Sequence, residues 1–260
     1  MNIFHGFQWH DDESGTRVEC AMPSALSDVL SANFLVRGRL MDSTEGDPLR
    51  IAHAIRPLLG ERSLIAPYQV HGTAITEARR IWALPQRVKA DGVHLDPSFD
   101  PASTVAASLR FADCSPIVLA SHEPHPWAIA LHSGFQGTTK NIFASAWARA
   151  KNFYGSLLPA SVYVWLGPAI GPCCYTRKKA DPSTLWACKT WHPANFEEGE
   201  ASVRFDLHGE IFAQIRDAGL PAENVFRFPF CTCCNTDHLY SYRAGDEKNR
   251  MLLLVKLRNF

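Results

Sequence analysis

A cysteine and a histidine flank two neighbouring apolar runs in this chain. The stretch, residues 111–137, reads FADCSPIVLASHEPHPWAIALHSGFQG. Residues 117–120 and 127–131 are short, continuous and bounded by turn residues, the pattern of buried strands. Cys114 precedes the first run and His132 follows the second. If the runs pair as antiparallel neighbours, thiol and imidazole arrive at one end of a sheet. A soft thiolate beside an imidazole suits zinc or copper. The same groups could form a nucleophile and its base. They could equally be a buried cysteine beside a hydrogen-bonded histidine, so the pair alone leaves three readings open.

Other residues could join this chemistry. His71 stands where an expected strand, residues 64–70, runs into the glycine turn of QVHGT. That places it at a strand end, as with Cys114 and His132. Asp113 adjoins Cys114 and either orients a ligating imidazole or structures its own turn. Asp91, in ADGV, reads as the cap of a tight turn before a short strand. Cys173 and Cys174 lie in GPAIGPCCY, where two Gly-Pro pairs impose a rigid loop. Consecutive cysteines are poor co-ligands, so packing or gating is expected of them. Cys231, Cys233 and Cys234 read as too tightly spaced for the usual zinc pattern. Arg243, after the last loop, could meet a phosphate or a substrate hydroxyl, or form a surface ion pair. The SGFQGTT turn after His132 opens a helix whose free N–H groups could receive an anion.

These side chains need elements to hold them. Strands are expected at 32–36, 64–70, 103–109, 161–166, 224–228 and 251–257. A helix over 48–59 has Asp47 as cap, Pro48 at its first position and Pro57 distorting its last turn. A second helix, residues 140–153, carries Ile142, Phe143, Ala146, Trp147, Ala150 and Phe153 at helical spacing, with Thr138 or Thr139 as cap. Residues 181–199 read as an irregular insert. Asp206 caps a third helix over 207–218, with Leu207, Ile211, Phe212 and Ile215 inward and Gly219 at its stop. Strands outnumber scattered helices, which favours α+β with mixed sheets. No Pro/Ser/Gly linker divides residues 1–260, so a single domain is expected.

The bulk composition narrows the function. Of the 260 residues, 46% are hydrophobic and 20% charged, enough for a sizeable core and too apolar for disorder. Lys plus Arg equals Asp plus Glu at 26 each, so no basic footprint for nucleic acid or an anionic membrane is present. No apolar run approaches a membrane span. Residues 1–15 have neither a basic n-region nor an apolar h-region. A cytoplasmic location is expected, with the 8 cysteines mostly as free thiols.

Six motifs stand together in order: QVHGT, ADG, ADCSPIVL, HSGFQG, GPAIGPCCY and SYR. Over roughly residues 65–257 the chain resembles the laccase-domain, or YfiH-like, family. The family was described first as multicopper polyphenol oxidases and then as purine nucleoside phosphorylases with adenosine deaminase activity. The resemblance implies a single-domain α/β/β/α sandwich, shared with a bacterial deamidating toxin. It implies a metal held by His71, Cys114 and His132, usually zinc, with copper for the oxidase activity. It implies Cys114, His132 and Asp113 as catalytic residues, and Gln136, Arg243 and Cys173 at the substrate. Nucleoside and phosphate are the implied partners, for a monomer or weak homodimer. Two departures stand out. Gln136 replaces the family's arginine and lacks its bidentate fork. The Gly-Gly-Val-Ser loop, Ser-Leu-Asn segment and Asn-Arg pair expected in the N-terminal third are not found. Alternatives to the phosphorylase are a copper polyphenol oxidase, a metal-free Cys–His amidohydrolase acting on cell-wall precursors, and a non-catalytic relative.

Overall fold

The two central apolar runs form the strands Ser115–Ser121 and Trp127–Ser133. They pair antiparallel, with Ser133 opposite Ser115 and Trp127 opposite Ser121. Both are buried on both faces because alternate side chains enter different cores. Val118, Ala120, Ala128 and Ala130 meet one core. Ile117, Leu119, Trp127, Ile129 and Leu131 meet the other. The computed structural model describes residues 3–257 except 5, 13, 14, 103 and 156. Ser103, the expected start of the strand leading to Cys114, lies outside the described residues.

Around this pair a six-stranded sheet runs in the order Val225–Arg227, Val162–Leu166, Ser115–Ser121, Trp127–Ser133, Gly92–Leu95, Ile75–Glu77. Its outermost pair at each edge is parallel and the rest antiparallel. A seven-stranded sheet has Leu30–Leu35, Met251–Leu257 and Val105–Phe111 as successive neighbours. Met251–Leu257 and Val105–Phe111 pack face to face on Trp127–Ser133. The helices Ile142–Tyr154 and Leu207–Asp217 bury Phe143, Trp147, Ile211 and Ile215 against the other face of the six-stranded sheet. Met41, Ile51, Ile55 and Leu59 of short helices join the core of the seven-stranded sheet. The architecture is α+β, an α/β/β/α sandwich of mixed sheets, as the sequence led one to expect. No helix among the described residues is long and apolar enough to cross a membrane.

Several local expectations need correction. The segment 181–199 is not irregular. Asp181 caps the helix Pro182–Thr190, and Phe196–Glu198 joins a small three-stranded sheet. That helix buries only Thr184 and Ala187, so it shows no apolar period. The long helix starts at Ile142, capped by Asn141 rather than Thr138 or Thr139, because a separate short helix, Phe135–Thr139, precedes it. Phe153, expected inward, is 44% exposed. The expected strand 64–70 is only Ser63–Ile65. The 48–59 helix breaks at Ile55, two residues before Pro57, giving Pro48–Ala54 and Arg56–Leu59. The Asp47 and Asp206 caps are as expected.

Beside the six-stranded sheet lies a buried polar chain. Arg149 Nε donates to His94 Nδ1 at 3.0 Å, so the His94 proton sits on Nε2, facing the Tyr154 hydroxyl at 2.7 Å. Tyr154 in turn donates to Asp96 at 2.7 Å. His94 is fully buried. Burial, and then the Arg149 charge, bring its pKa down to about 3 from 6.5. The folded chain therefore refuses a proton that the unfolded chain accepts. The stability this neutral histidine contributes is complete above 6.5 and is lost as pH falls toward about 3. Tyr154→Phe should cost about 1–3 kcal/mol, because it leaves two buried groups each short of a partner. Urea titration checks this. In His94→Gln the decline of unfolding free energy over that acid window should be shallower than in the native chain. An unchanged slope would show that His94 does not stay neutral.

Candidate metal centre

The register that pairs Ser133 with Ser115 brings His132 and Cys114 to the same sheet end. The next strand, Gly92–Leu95, pairs with the His132 strand, so Asp91 arrives beside His132. His132 N donates to Asp91 O at 2.7 Å. The Asp91 side chain is fully buried and collects four donors. His132 Nδ1 lies at 2.9 Å. The backbone N–H groups of Val70, His71 and Gly72 donate at 3.1, 3.0 and 2.7 Å. One carboxylate thus fixes the His132 tautomer and folds the His71 loop against it. His71 takes a left-handed backbone, φ 57°, within that loop.

The ligating atoms of His71, Cys114 and His132 lie within 4.8 Å of one another. With Nδ1 of His132 bound to Asp91, its Nε2 is the nitrogen left to face an ion. The two imidazole rings meet edge-on, centroids 4.9 Å apart. Gly134 completes the cradle. A Cβ there would lie 2.6 Å from Cys114 Sγ and 3.2 Å from His71 Cδ2, so only glycine leaves the thiolate its place. Two imidazoles and a thiolate, oriented by a carboxylate behind them, are the donor set of a zinc or copper ion.

Charge reinforces the arrangement. Burial pushes the Cys114 thiol up. The His132 charge and hydrogen bonds from His132 and His71 outweigh burial and bring it down to about 6. Burial pushes His132 down, but Cys114 and Asp91 raise it to about 9. Burial also raises Asp91, yet its hydrogen bonds from His132, Gly72 and Val70 hold it below the usual carboxylate range. Without an ion, both shifts favour a thiolate beside an imidazolium.

The remaining candidates fall in different places. Asp113 was given two roles, structuring its own turn or orienting an imidazole. Asp91 does the orienting, while Asp113 accepts from Thr232 Oγ1 at 2.6 Å and from Arg243 N at 2.8 Å. Gln136 is exposed on the short helix that follows Gly134. The Arg243 guanidinium donates to the carbonyls of Cys174 and Thr176 and lies over the Tyr175 ring. Cys173 does not join the triad. It gathers with Cys174, Cys231 and Cys234 in a second group. Crowding was expected to keep Cys231, Cys233 and Cys234 from forming a site, but Cys231 and Cys234 have two residues between them and gather with the consecutive Cys173 and Cys174 of a separate loop. Sequence reading favoured a turn cap for Asp91 and missed Gly134. The A-D-G run pointed to Asp91, but capping its own turn explained it as well. Burial, then Cys114, push the Tyr175 hydroxyl up to about 12, so it stays protonated.

The multi-copper polyphenol oxidoreductase laccase family matches residues 43–258. The chain belongs to this family. Similar proteins include purine nucleoside phosphorylase YlmD of Geobacillus stearothermophilus, 28% identical over 178 residues, 65% of this chain and 60% of that protein. The match therefore spans less than two thirds of that relative's length. A purine nucleoside phosphorylase of Pseudomonas aeruginosa is 28% identical over 191 residues, 74% of this chain and 73% of its own. The crystal structure of the Geobacillus YlmD superposes with a TM-score of 0.79 at 24% identity, covering 96% of this chain and 99% of that one. A Neisseria meningitidis protein, NMB0706, gives 0.72 at 19% identity, covering 98% and 100%. These structures share the laccase-domain fold with the present chain.

In chelator-treated protein, alkylation of Cys114 followed by peptide mapping should titrate near about 6, and added zinc should suppress it. Asp91→Asn should move that midpoint upward, because His132 loses the acceptor that keeps it cationic. Gly134→Ala should abolish the protection by zinc. A native midpoint near 9.0, the ordinary thiol value, would rule out the thiolate–imidazolium pair.

Proposed function

We propose that this protein is a zinc-dependent purine nucleoside phosphorylase that also deaminates adenosine, taking adenosine, inosine and methylthioadenosine. The carrying observation is the convergence of His71, Cys114 and His132 around Gly134, in a chain whose relatives bear the phosphorylase name. Two imidazoles and one thiolate favour a borderline-soft ion, and three protein donors are the set used by catalytic zinc. Zinc held there would supply Lewis-acid polarisation of a substrate oxygen. The chain's own residues do the rest. Asp91 keeps the proton on His132 Nδ1 and the ring in place. Phosphorolysis joins a phosphate oxygen to C1′ and breaks the bond from C1′ to N9. Deamination adds water at C6 of adenine and releases ammonia.

The thiolate–imidazolium pair supports a second reading, a metal-free Cys–His amidohydrolase acting on cell-wall precursors. A copper polyphenol oxidase has less support. Among the described residues the triad is the one histidine-containing group able to hold a metal, and multi-copper oxidation needs many histidine ligands.

Incubating zinc-loaded protein with adenosine and phosphate, then separating products, should give adenine and inosine. His132→Ala should lower both by about a hundredfold or more. Neither product from the loaded native protein would refute the proposal, and amidase activity surviving chelation would favour the second reading. Gln136→Arg restores a bidentate fork. It should lower the KM for phosphate severalfold and leave deamination unchanged. Equal effects on both reactions would show that residue 136 does not contact phosphate.

A further inference from the structure

A second sulfur cluster lies in the loops beside the triad. Cys173 and Cys174 come from the Gly-Pro loop, and Cys231 and Cys234 from the loop before Tyr240. All four Sγ atoms lie within 4.8 Å of one another. Cys234 Sγ is 3.4 Å from Cys173 Sγ and 3.3 Å from Cys174 Sγ. A disulfide needs about 2.05 Å, so none is formed. A zinc ion with sulfurs at about 2.3 Å places them roughly 3.8 Å apart, which lies between the 3.3 Å contact and the 4.8 Å limit of this group. A four-iron cluster carries its thiolates outside a cube, farther apart than these atoms stand.

The backbone is arranged for thiolates. Gly171 N donates to Cys231 Sγ at 3.1 Å. Cys231 and Cys234, with two residues between them, thus form a knuckle with a backbone donor behind its first sulfur. Gly171 is needed for the loops to meet. A Cβ there would lie 3.2 Å from Cys231 Cβ and 3.3 Å from Cys173 Sγ. The Arg243 guanidinium donates to the Cys174 carbonyl and so ties the Gly-Pro loop to the segment that follows the knuckle.

We propose that Cys173, Cys174, Cys231 and Cys234 form a structural zinc site, separate from the His71–Cys114–His132 centre. Its role is to lock the two loops that hold Asp113 and Arg243. Thr232, inside the knuckle, donates to Asp113, and Ile170 N donates to the Asp113 carbonyl at 3.0 Å. The proposal does not depend on the reaction catalysed at the triad.

The test is Co(II) titration of the full chain carrying His71→Ala and His132→Ala, which leaves all four loop cysteines in place. It should still bind about one Co(II) per chain with the intense sulfur-to-cobalt charge transfer of a four-thiolate site. Zinc should bleach that spectrum. Adding Cys173→Ser and Cys234→Ser should remove it. Absence of Co(II) binding in the first variant would overturn the proposal. The native protein gives a check that needs no variant. Zinc should slow labelling of Cys173 and Cys234, both exposed, by at least tenfold with N-ethylmaleimide. Labelling at the same rate with and without zinc would also overturn it.

Discussion

The Asp91 carboxylate is the constraint on which the site depends. A fully buried carboxylate is costly unless every lone pair is used. Asp91 uses its oxygens on three backbone N–H groups and the imidazole of His132. Those bonds come from two segments that share no strand. One is the loop carrying His71, and the other is the end of the strand carrying His132. A single charge therefore fixes the tautomer of one imidazole, the backbone of the other, and the gap between them. No neutral side chain could satisfy four donors at once.

Sheet register decides which way the site faces. Even-numbered residues of Trp127–Ser133 point toward the seven-stranded sheet, as Ala128 and Ala130 do. His132 shares their parity, and Cys114 also packs at the edge of that core. The centre thus forms where the space between the sheets opens at the strand ends. Sliding the pairing by one residue would turn His132 into the helix-covered core and dismantle the site. The slip is expensive because Trp127, Ile129 and Leu131 fill the helix-covered core while only Ala128 and Ala130 fit against the facing sheet.

Much of this was legible in the sequence for one reason. Continuous apolar runs bounded by turn residues mark buried strands, and residues at their ends are brought together by pairing alone. That logic placed Cys114 beside His132, but the strand expected to deliver His71 stops at Ile65, and a loop bound to Asp91 carries it instead. It could not place Asp91, because a turn aspartate has local partners that explain it equally well. It left Asp113 between two roles, because its neighbour in sequence is a candidate ligand while its carboxylate reaches loops more than a hundred residues away. The helix Pro182–Thr190 was hidden because it buries two small side chains and shows no stripe. The four-cysteine group was hidden because its sulfurs come from two loops about sixty residues apart. Spacing within one loop carries half of such a pattern.

Asp113 shows how the two clusters are coupled. Its backbone is left-handed, φ 85°, a conformation that costs a non-glycine residue roughly 1–3 kcal/mol. The bonds from Thr232 and Arg243 offset that strain, so the turn that delivers Cys114 is held from outside by the cysteine-bearing loops. The same loops also use up cationic donors. Arg243 gives its guanidinium to two carbonyls, and Arg177 gives its own to Thr184, Ser183 and Asp181 while lying over Phe135. Neither presents an open fork, and Gln136 has none to present.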